Sequence, residues 1–271
     1  MSTSYGINYS TLTVSKDLVA FDNEAFERDG FCVLENVISQ DSISAYQNHL
    51  DQVERLQVDE LGKDALTSLG ELHTVRLPLA YDRSFLKMAQ IPAVIDLVKY
   101  YLGDFFVLHL QNGVLTRPHQ THHQAAWHRD LPYQHWVCSK PLAISALVVL
   151  DDFTEQSGAT LVIPSSHRWP NFPSTNYVEK HQRPVTASSG SVIVFDSMLY
   201  HKAGLNLADY TRRAVNHVYT IPPFQQQICI PSMLGNFVPE DQFTRRLLGY
   251  ETQISHSVVE YRKKRLFGQG K

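Results

Sequence analysis

The chain carries 13 histidines, more than core packing calls for, and several crowd the stretch between residues 109 and 135. Within AAWHRDLPYQHW, His128 and Asp130 stand two apart. On a strand such residues face the same side, so both side chains can reach one ion. By itself the pair is a weak signal, because a lone histidine is more often a satisfied structural residue. A third candidate comes from FDSMLYHKAGLN, where His201 follows the apolar run SVIVFD and lies 73 residues beyond His128. Two histidines and one carboxylate cap one face of an octahedral ion and leave three positions open, an arrangement suited to Fe(II) that must also hold a co-substrate and dioxygen. Eleven residues further on, in TRRAVNHVYT, stands Arg212. A planar guanidinium there can grip the far carboxylate of a dicarboxylic keto acid whose other end chelates the metal. Arg213 has the opposite strand parity and is expected to point away.

Other residues compete for these roles. His119, His122, His123 and His135 cluster beside His128 and offer an alternative zinc site, but they sit in loop-like sequence without a distal partner. Trp127 and Trp136 flank the metal candidates and either line a substrate pocket or fill the core. Arg76, Tyr81, Arg117 and Asn206 stand in polar loops that could meet a substrate, Arg117 and Asn206 being the stronger candidates. No GxSxG nucleophile elbow is present, which argues against a serine hydrolase.

The elements that must position these residues change character along the chain. Residues 1–20 are polar and aperiodic and read as a loosely held lead-in. Next, a short helix should stop near Gly30, and Phe31, Val33, Val37 and Ile38 suggest a strand. Behind Ser39, an N-cap candidate, Ile43, Tyr46, Leu50 and Val53 recur at helical spacing. IPAVIDLVKYYLG predicts a second helix with Pro92 at its start and Gly103 at its end, so residues 21–103 are expected to be mainly helical. After Gly103 come FFVLHLQNGVL, LAISALVVL, ATLVIP, SVIVF and AVNHVYTI, short β-branched or aromatic runs separated by turn residues. No helical pattern alternates with them, so an antiparallel sandwich or barrel over 104–224 is preferred to a parallel sheet. A C-terminal extension, 225–271, reads as helical from Phe243 and ends in the basic run Arg262, Lys263, Lys264, Arg265, read as a solvated face. The expected class is thus a β-rich α+β single domain over 1–271 with packed N-terminal and C-terminal helices.

With 43% hydrophobic and 19% charged residues the composition is that of a globular protein with a sizeable core. A net charge of −3 gives no electrostatic reason to expect nucleic acid or an anionic membrane as partner, which leaves a small-molecule substrate as the expectation. Cys32, Cys138 and Cys229 are widely spaced and form no CxxC pair, so neither a disulfide framework nor a thiolate zinc site is expected. The opening MSTSYGINYS lacks the features of a secretory signal, and a cytoplasmic protein is expected, a homodimer by default.

Four ordered motifs carry a resemblance: WHRDLPY, DDFTEQSGATLVIPSSH, SGSVIVFDSMLYHKAGLN and Arg212 after it, with FERDGFCVLENVIS ahead of them. From about residue 21 to about residue 224 the chain resembles the phytanoyl-CoA dioxygenase family. That resemblance implies a double-stranded β-helix, or jelly-roll, core, with Fe(II) held by His128, Asp130 and His201. It also implies 2-oxoglutarate and dioxygen as co-substrates, and succinate and carbon dioxide as co-products. Gln111 and Ser145 match places where the family often contacts 2-oxoglutarate. PSSH stands where PGSH is commoner, a change a turn tolerates. Related halogenases replace the carboxylate by a small residue; Asp130 is kept here, so hydroxylation is the expected outcome. The rival reading is a cupin-like metal-binding protein or non-oxidative metalloenzyme, which would have no use for Arg212 as a dicarboxylate anchor.

Overall fold

The computed structural model describes residues 23–268 apart from Thr121 and His135, so the lead-in over 1–20 and the histidine at 135 lie outside the described residues. Among the described residues nine strands form two antiparallel sheets. They are β1 (Phe31–Leu34), β2 (Thr74–Arg76), β3 (Val107–Thr116), β4 (Ala143–Val149), β5 (Thr160–Val162), β6 (Arg183–Val185), β7 (Val192–Asp196), β8 (His201–Lys202) and β9 (Arg212–Thr220). The larger sheet runs β1-β7-β4-β9-β3-β2 and the smaller β6-β5-β8. All five β-rich runs of the sequence contribute strands. The expected strand over Phe31–Ile38 is shorter: Asn36 adopts φ 56°, which turns the chain, and Val37 and Ile38 donate instead to the Gly190 carbonyl.

Strand parity divides the large sheet into two faces. On β9, Val215 and Tyr219 face a helical layer, as do Ile144, Ala146 and Val148 of β4 and Val192 and Val194 of β7. That layer includes α1 (Asn23–Asp29), the 22-residue α2 (Gln40–Leu61), α3 (Lys63–Ser68), α4 (Ser84–Met88) and α5 (Pro92–Leu102). Helix α2 buries Ile43, Leu50 and Val53, and α5 buries Val94, Ile95, Leu97 and Val98. Pro92 opens α5, and Gly103 closes it at φ 81°, a conformation costly for other residues. Close approach matters once more where α2 crosses β3: a Cβ on Gly113 would lie 2.5 Å from Leu50 Cδ1. Each fully buried Leu or Ile of this layer contributes about 1.5–3 kcal/mol.

The opposite face meets the small sheet. Val149, Ile193, Phe195 and Ala214 of the large sheet pack with Val162 and Val185 of the small one, together with Phe153 and Leu199. The site lies between these two sheets. Of the later helices, α6 (Thr175–His181), α7 (Ile230–Met233), α8 (Gln242–Leu247) and α9 (Val258–Gly268), α7 and α8 add Ile230 and Leu247 to the core on the helical side, and the basic run on α9 is exposed. Among the described residues no helix is long and apolar enough to cross a membrane.

Candidate active site

The HxD pair sits on an extended segment, not in a regular strand, and is fixed by backbone pairing. His128 N donates to the His201 carbonyl at 3.0 Å and His201 N to the His128 carbonyl at 3.1 Å, while Asp130 N donates to the Ser197 carbonyl at 3.0 Å. These bonds join segments 73 residues apart and bring three side chains together. One ligand atom from each of His128, Asp130 and His201 lies within 4.8 Å of the others. Asp130 Oδ1 is 3.6 Å from His201 Nε2 and 3.9 Å from His128 Nε2. The remaining atoms are engaged elsewhere: His128 Nδ1 donates to the Ala126 carbonyl at 2.9 Å and His201 Nδ1 to the Leu199 carbonyl at 3.0 Å. Both rings are thereby locked with Nε2 toward the ion position. Asp130 Oδ2 accepts from Ser145 Oγ at 2.6 Å and from Asn216 Nδ2 at 3.0 Å, and Ser197 Oγ lies 2.7 Å from Ser145 Oγ.

Electrostatics suit a cation here. Burial opposes the charge on Asp130, but the His201 and His128 imidazoles and the bonds from Ser145 and Asn216 together hold its carboxyl below the ordinary range. Burial, with His128 beside it, pushes His201 down to about 4, so it is a neutral ligand at neutral pH. The donor set, two imidazole nitrogens and one carboxylate oxygen on one side of an open position, fits Fe(II).

A narrow slot leads from His128 and His201 to Arg212, walled by Leu147, Phe153, Phe195, Thr160 and Ala214. Arg212 is 2% exposed. It donates to Thr116 Oγ1 at 2.7 Å and to the Gly158 carbonyl, and its guanidinium lies 4.2 Å from the Phe153 ring centroid. That carbonyl is held by a tight crossing of loops, since a Cβ on Gly158, whose φ is 78°, would lie 2.6 Å from the Gly204 oxygen. Nε of Arg212 is buried without a partner, and among the described residues no carboxylate lies within ion-pair distance of it. Burial pushes this arginine down to about 10, still cationic at neutral pH. Arg213, one position on, turns to the helical face and pairs with Asp51 at 2.8 Å and Asp151 at 3.1 Å.

Several expected contacts lie elsewhere. Gln111 pairs in register with His217, one position off Asn216, and therefore faces the helices. There it accepts from Leu79 N and donates to the Phe85 carbonyl, so it does not reach the slot. Ser145 has the correct face, but its hydroxyl is committed to Asp130. Trp127 packs on Phe172 and beneath Lys202. Trp136 is 54% exposed and lines no part of the site. Arg117 is drawn to Glu54 and Thr211, and Asn206 clamps its own loop through the Thr116 and Tyr210 carbonyls. Tyr81 donates to Glu60. His122 and His123 share Thr74 Oγ1, and with His119 they form no ligand cluster among the described residues.

Beyond the slot opens a cleft of about 880 Å³. It exposes residues the sequence did not single out, among them His109, Asn112, Gln124 and Asn216, with Arg76 at its rim. Asn216 was findable, since it stands four residues after Arg212 and shares its parity. His109 was not, because the cleft receives it through a β-bulge between Leu108 and Leu110 that no local signal announces.

Comparison with known proteins places this arrangement. A mycobacterial relative, an uncharacterised protein of Mycobacterium tuberculosis, is 35% identical over 252 residues, 89% of this chain and 91% of its own length. The ectoine dioxygenase of Sphingopyxis alaskensis is 26% identical over 247 residues, covering 78% of each chain. The crystal structure of EctD from S. alaskensis with 2-oxoglutarate and 5-hydroxyectoine superposes with a TM-score of 0.63 at 23% identity, covering 83% of this chain and 85% of that one. The epimerase SnoN from nogalamycin biosynthesis gives a TM-score of 0.57 at 18% identity over 73% and 79% of the two chains. The family model for phytanoyl-CoA dioxygenase matches residues 26–214, and the chain belongs to that family of 2-oxoglutarate-dependent, non-haem iron dioxygenases.

Proposed function

We propose that this chain couples 2-oxoglutarate and dioxygen to the hydroxylation, or another oxidation, of a C–H bond in a small organic substrate, from a double-stranded β-helix core. His128 Nε2, His201 Nε2 and Asp130 Oδ1 are the atoms that would hold Fe(II). When bound, the iron supplies activation of dioxygen, with one oxygen atom leaving in succinate as carbon dioxide is lost and the other transferred to the substrate. The protein's own residues bind, orient and exclude water. Ser145 and Asn216 fix the Asp130 carboxylate, and Leu147, Phe153 and Phe195 keep the slot apolar.

The observation that carries this reading is Arg212, a buried cation with an unpaired Nε and no carboxylate, at the end of a slot that begins at the metal ligands. Such a charge is costly unless an anion arrives. A keto acid chelated at the metal would bring its second carboxylate there, and a non-oxidative metal site would not require it. The test is anaerobic addition of Fe(II) and 2-oxoglutarate to the apo-protein. A visible charge-transfer band that neither component gives alone is expected. With iron demonstrably bound, absence of that band favours the cupin-like alternative.

A further inference from the structure

The segment between β7 and β8 does more than carry the chain to His201. Asp196 to Leu199 form a turn, in which the Asp196 carbonyl accepts from Leu199 N at 2.8 Å and Asp196 Oδ1 accepts from Met198 N at 2.8 Å. Three successive carbonyls of this turn hold the HxD segment and the distal histidine. That of Ser197 accepts from Asp130 N at 3.0 Å, that of Met198 from Arg129 Nε at 2.8 Å, and that of Leu199 from His201 Nδ1 at 3.0 Å. Any residue type can offer a carbonyl, so these bonds alone single out no side chain.

Ser197 adds a second hold on Asp130 through its hydroxyl. On the paired strands Ser145 of β4 stands opposite Phe195 of β7, and one step beyond β7 Ser197 N donates to the Ala143 carbonyl at 3.2 Å. Ser145 and Ser197 are therefore diagonal neighbours on the face that meets the small sheet. Their hydroxyl oxygens lie 2.7 Å apart, and both residues are fully buried. Counting protons fixes the direction of this bond. Ser145 has one hydroxyl proton, and its Oγ lies 2.6 Å from Asp130 Oδ2. An ionised carboxylate only accepts, so that proton goes to Asp130. Ser197 must then donate to Ser145. The order is Ser197 O–H to Ser145 O–H to Asp130 Oδ2, and a hydroxyl that accepts one bond becomes a stronger donor in the next.

We propose that Ser197 is a further positioning residue of the metal centre, holding Asp130 at two points: its carbonyl fixes the backbone, and its hydroxyl, by way of Ser145, fixes the carboxylate with Oδ1 toward the ion position. This assignment rests on the ligand reading above and deepens it. Without the Ser197 hydroxyl the bond from Ser145 to Asp130 loses its polarising donor, while the backbone clamp stays, so the effect falls on the carboxylate.

The experiment titrates Fe(II) alone into the metal-free, full-length chain under nitrogen. It compares the wild type, Ser197→Ala, Ser145→Ala and the double variant, with His128→Ala as a separate check on the ligand assignment. Ser197→Ala should raise the Fe(II) Kd about 3- to 10-fold, the scale of one hydrogen bond between neutral groups. In the Ser145→Ala background the same substitution should change the Kd by less than about twofold, because the hydroxyl then has no Ser145 to act through. A merely structural residue would weaken binding equally in both backgrounds, and that result overturns the proposal. So does a Kd for Ser197→Ala within about twofold of the wild type. Ser197→Thr and Ser197→Val share a shape and differ in the hydroxyl, which keeps the test open should the alanine chain fail to fold. The threonine chain should bind Fe(II) at least about threefold more tightly than the valine chain, and equal affinities overturn the proposal. If His128→Ala binds Fe(II) as the wild type does, the ligand assignment falls by its own measurement, and the role of Ser197 with it.

Discussion

Replacing Arg212 by methionine separates an arginine that builds the fold from one that waits for a ligand. In the free protein the guanidinium makes bonds to Thr116 and Gly158 and stacks on Phe153. Against them stands the burial of an unpaired charge. The fall from 12.5 to about 10 corresponds to about 3 kcal/mol at 1.36 kcal/mol for each tenfold change. Two hydrogen bonds contribute about 1–3 kcal/mol each when the donor is charged. These opposing quantities nearly cancel, so ligand-free Arg212→Met should lie within about 2 kcal/mol of the wild type. Binding behaves differently. Loss of a bidentate, desolvated guanidinium–carboxylate pair costs about 2–5 kcal/mol, a 30-fold to several-thousand-fold weakening for 2-oxoglutarate. With 2-oxoglutarate at a hundred times its wild-type Kd, linkage stabilises the wild type by about 2.7 kcal/mol, a rise of roughly 5–10 °C in Tm for a chain of this size. At the same concentration the variant should keep about 0.9 kcal/mol of it at most, roughly a third of the rise. Thermal melting of the iron-loaded proteins under nitrogen, with and without 2-oxoglutarate, reads both quantities. A variant that melts far below the wild type without ligand yet keeps the full ligand-induced rise would refute the reasoning and make Arg212 structural.

Four further outcomes are expected. His128→Ala and His201→Ala should each abolish iron retention and turnover while the apo-protein keeps its circular dichroism, and His122→Ala should leave iron content unchanged; metal analysis of the three purified variants decides this. Ser145→Ala frees one oxygen of Asp130 and should weaken Fe(II) binding about 10–100-fold, measurable by titration under nitrogen, with 2-oxoglutarate affinity at saturating iron little changed. Arg213→Ala breaks the pairs with Asp51 and Asp151, which are mostly buried, and should cost about 2–4 kcal/mol in urea unfolding without altering 2-oxoglutarate affinity. Finally, burial pushes His122, His167 and His217 down from 6.5 to about 4. The unfolded chain then binds more protons than the folded one between these values, so stability should fall as pH drops from about 6.5 to 4. Urea midpoints that stay flat across that window would contradict the buried, neutral state of these rings.

What the sequence made legible follows the range over which each feature is encoded. The metal set is written in two short segments whose chemistry needs rare residue types, and strand parity alone separates Arg212 from Arg213 on β9. The same rule extends along one strand to Asn216. It does not cross to a neighbouring strand, because register is set by pairing that no local run specifies. Gln111 shows the consequence: on β3 the residues of the site's face are Asn112 at the cleft and Val114 at the slot, and the difference of one position is fixed by pairing with β9 and by the bulge at His109. Ser145 is the converse case, with the face read correctly and the partner misread, since a hydroxyl 2.6 Å from the Asp130 carboxylate is committed before a co-substrate arrives. Trp127, Trp136, Arg117 and Asn206 were singled out by type and proximity in sequence, yet long side chains in loops go where partners are. Arg117 finds Glu54 on α2, and Asn206 finds one backbone carbonyl in its own turn, at Tyr210, and one at the end of β3, at Thr116. The cleft is assembled from β2, β3, β9, the segment after β9 and the loop that carries the HxD pair, pieces whose meeting depends on the completed fold. Which side chains these pieces present to one another is settled only once strands and loops from distant parts of the chain have paired, which is why the chemistry at the metal is encoded locally and the chemistry of the substrate is not.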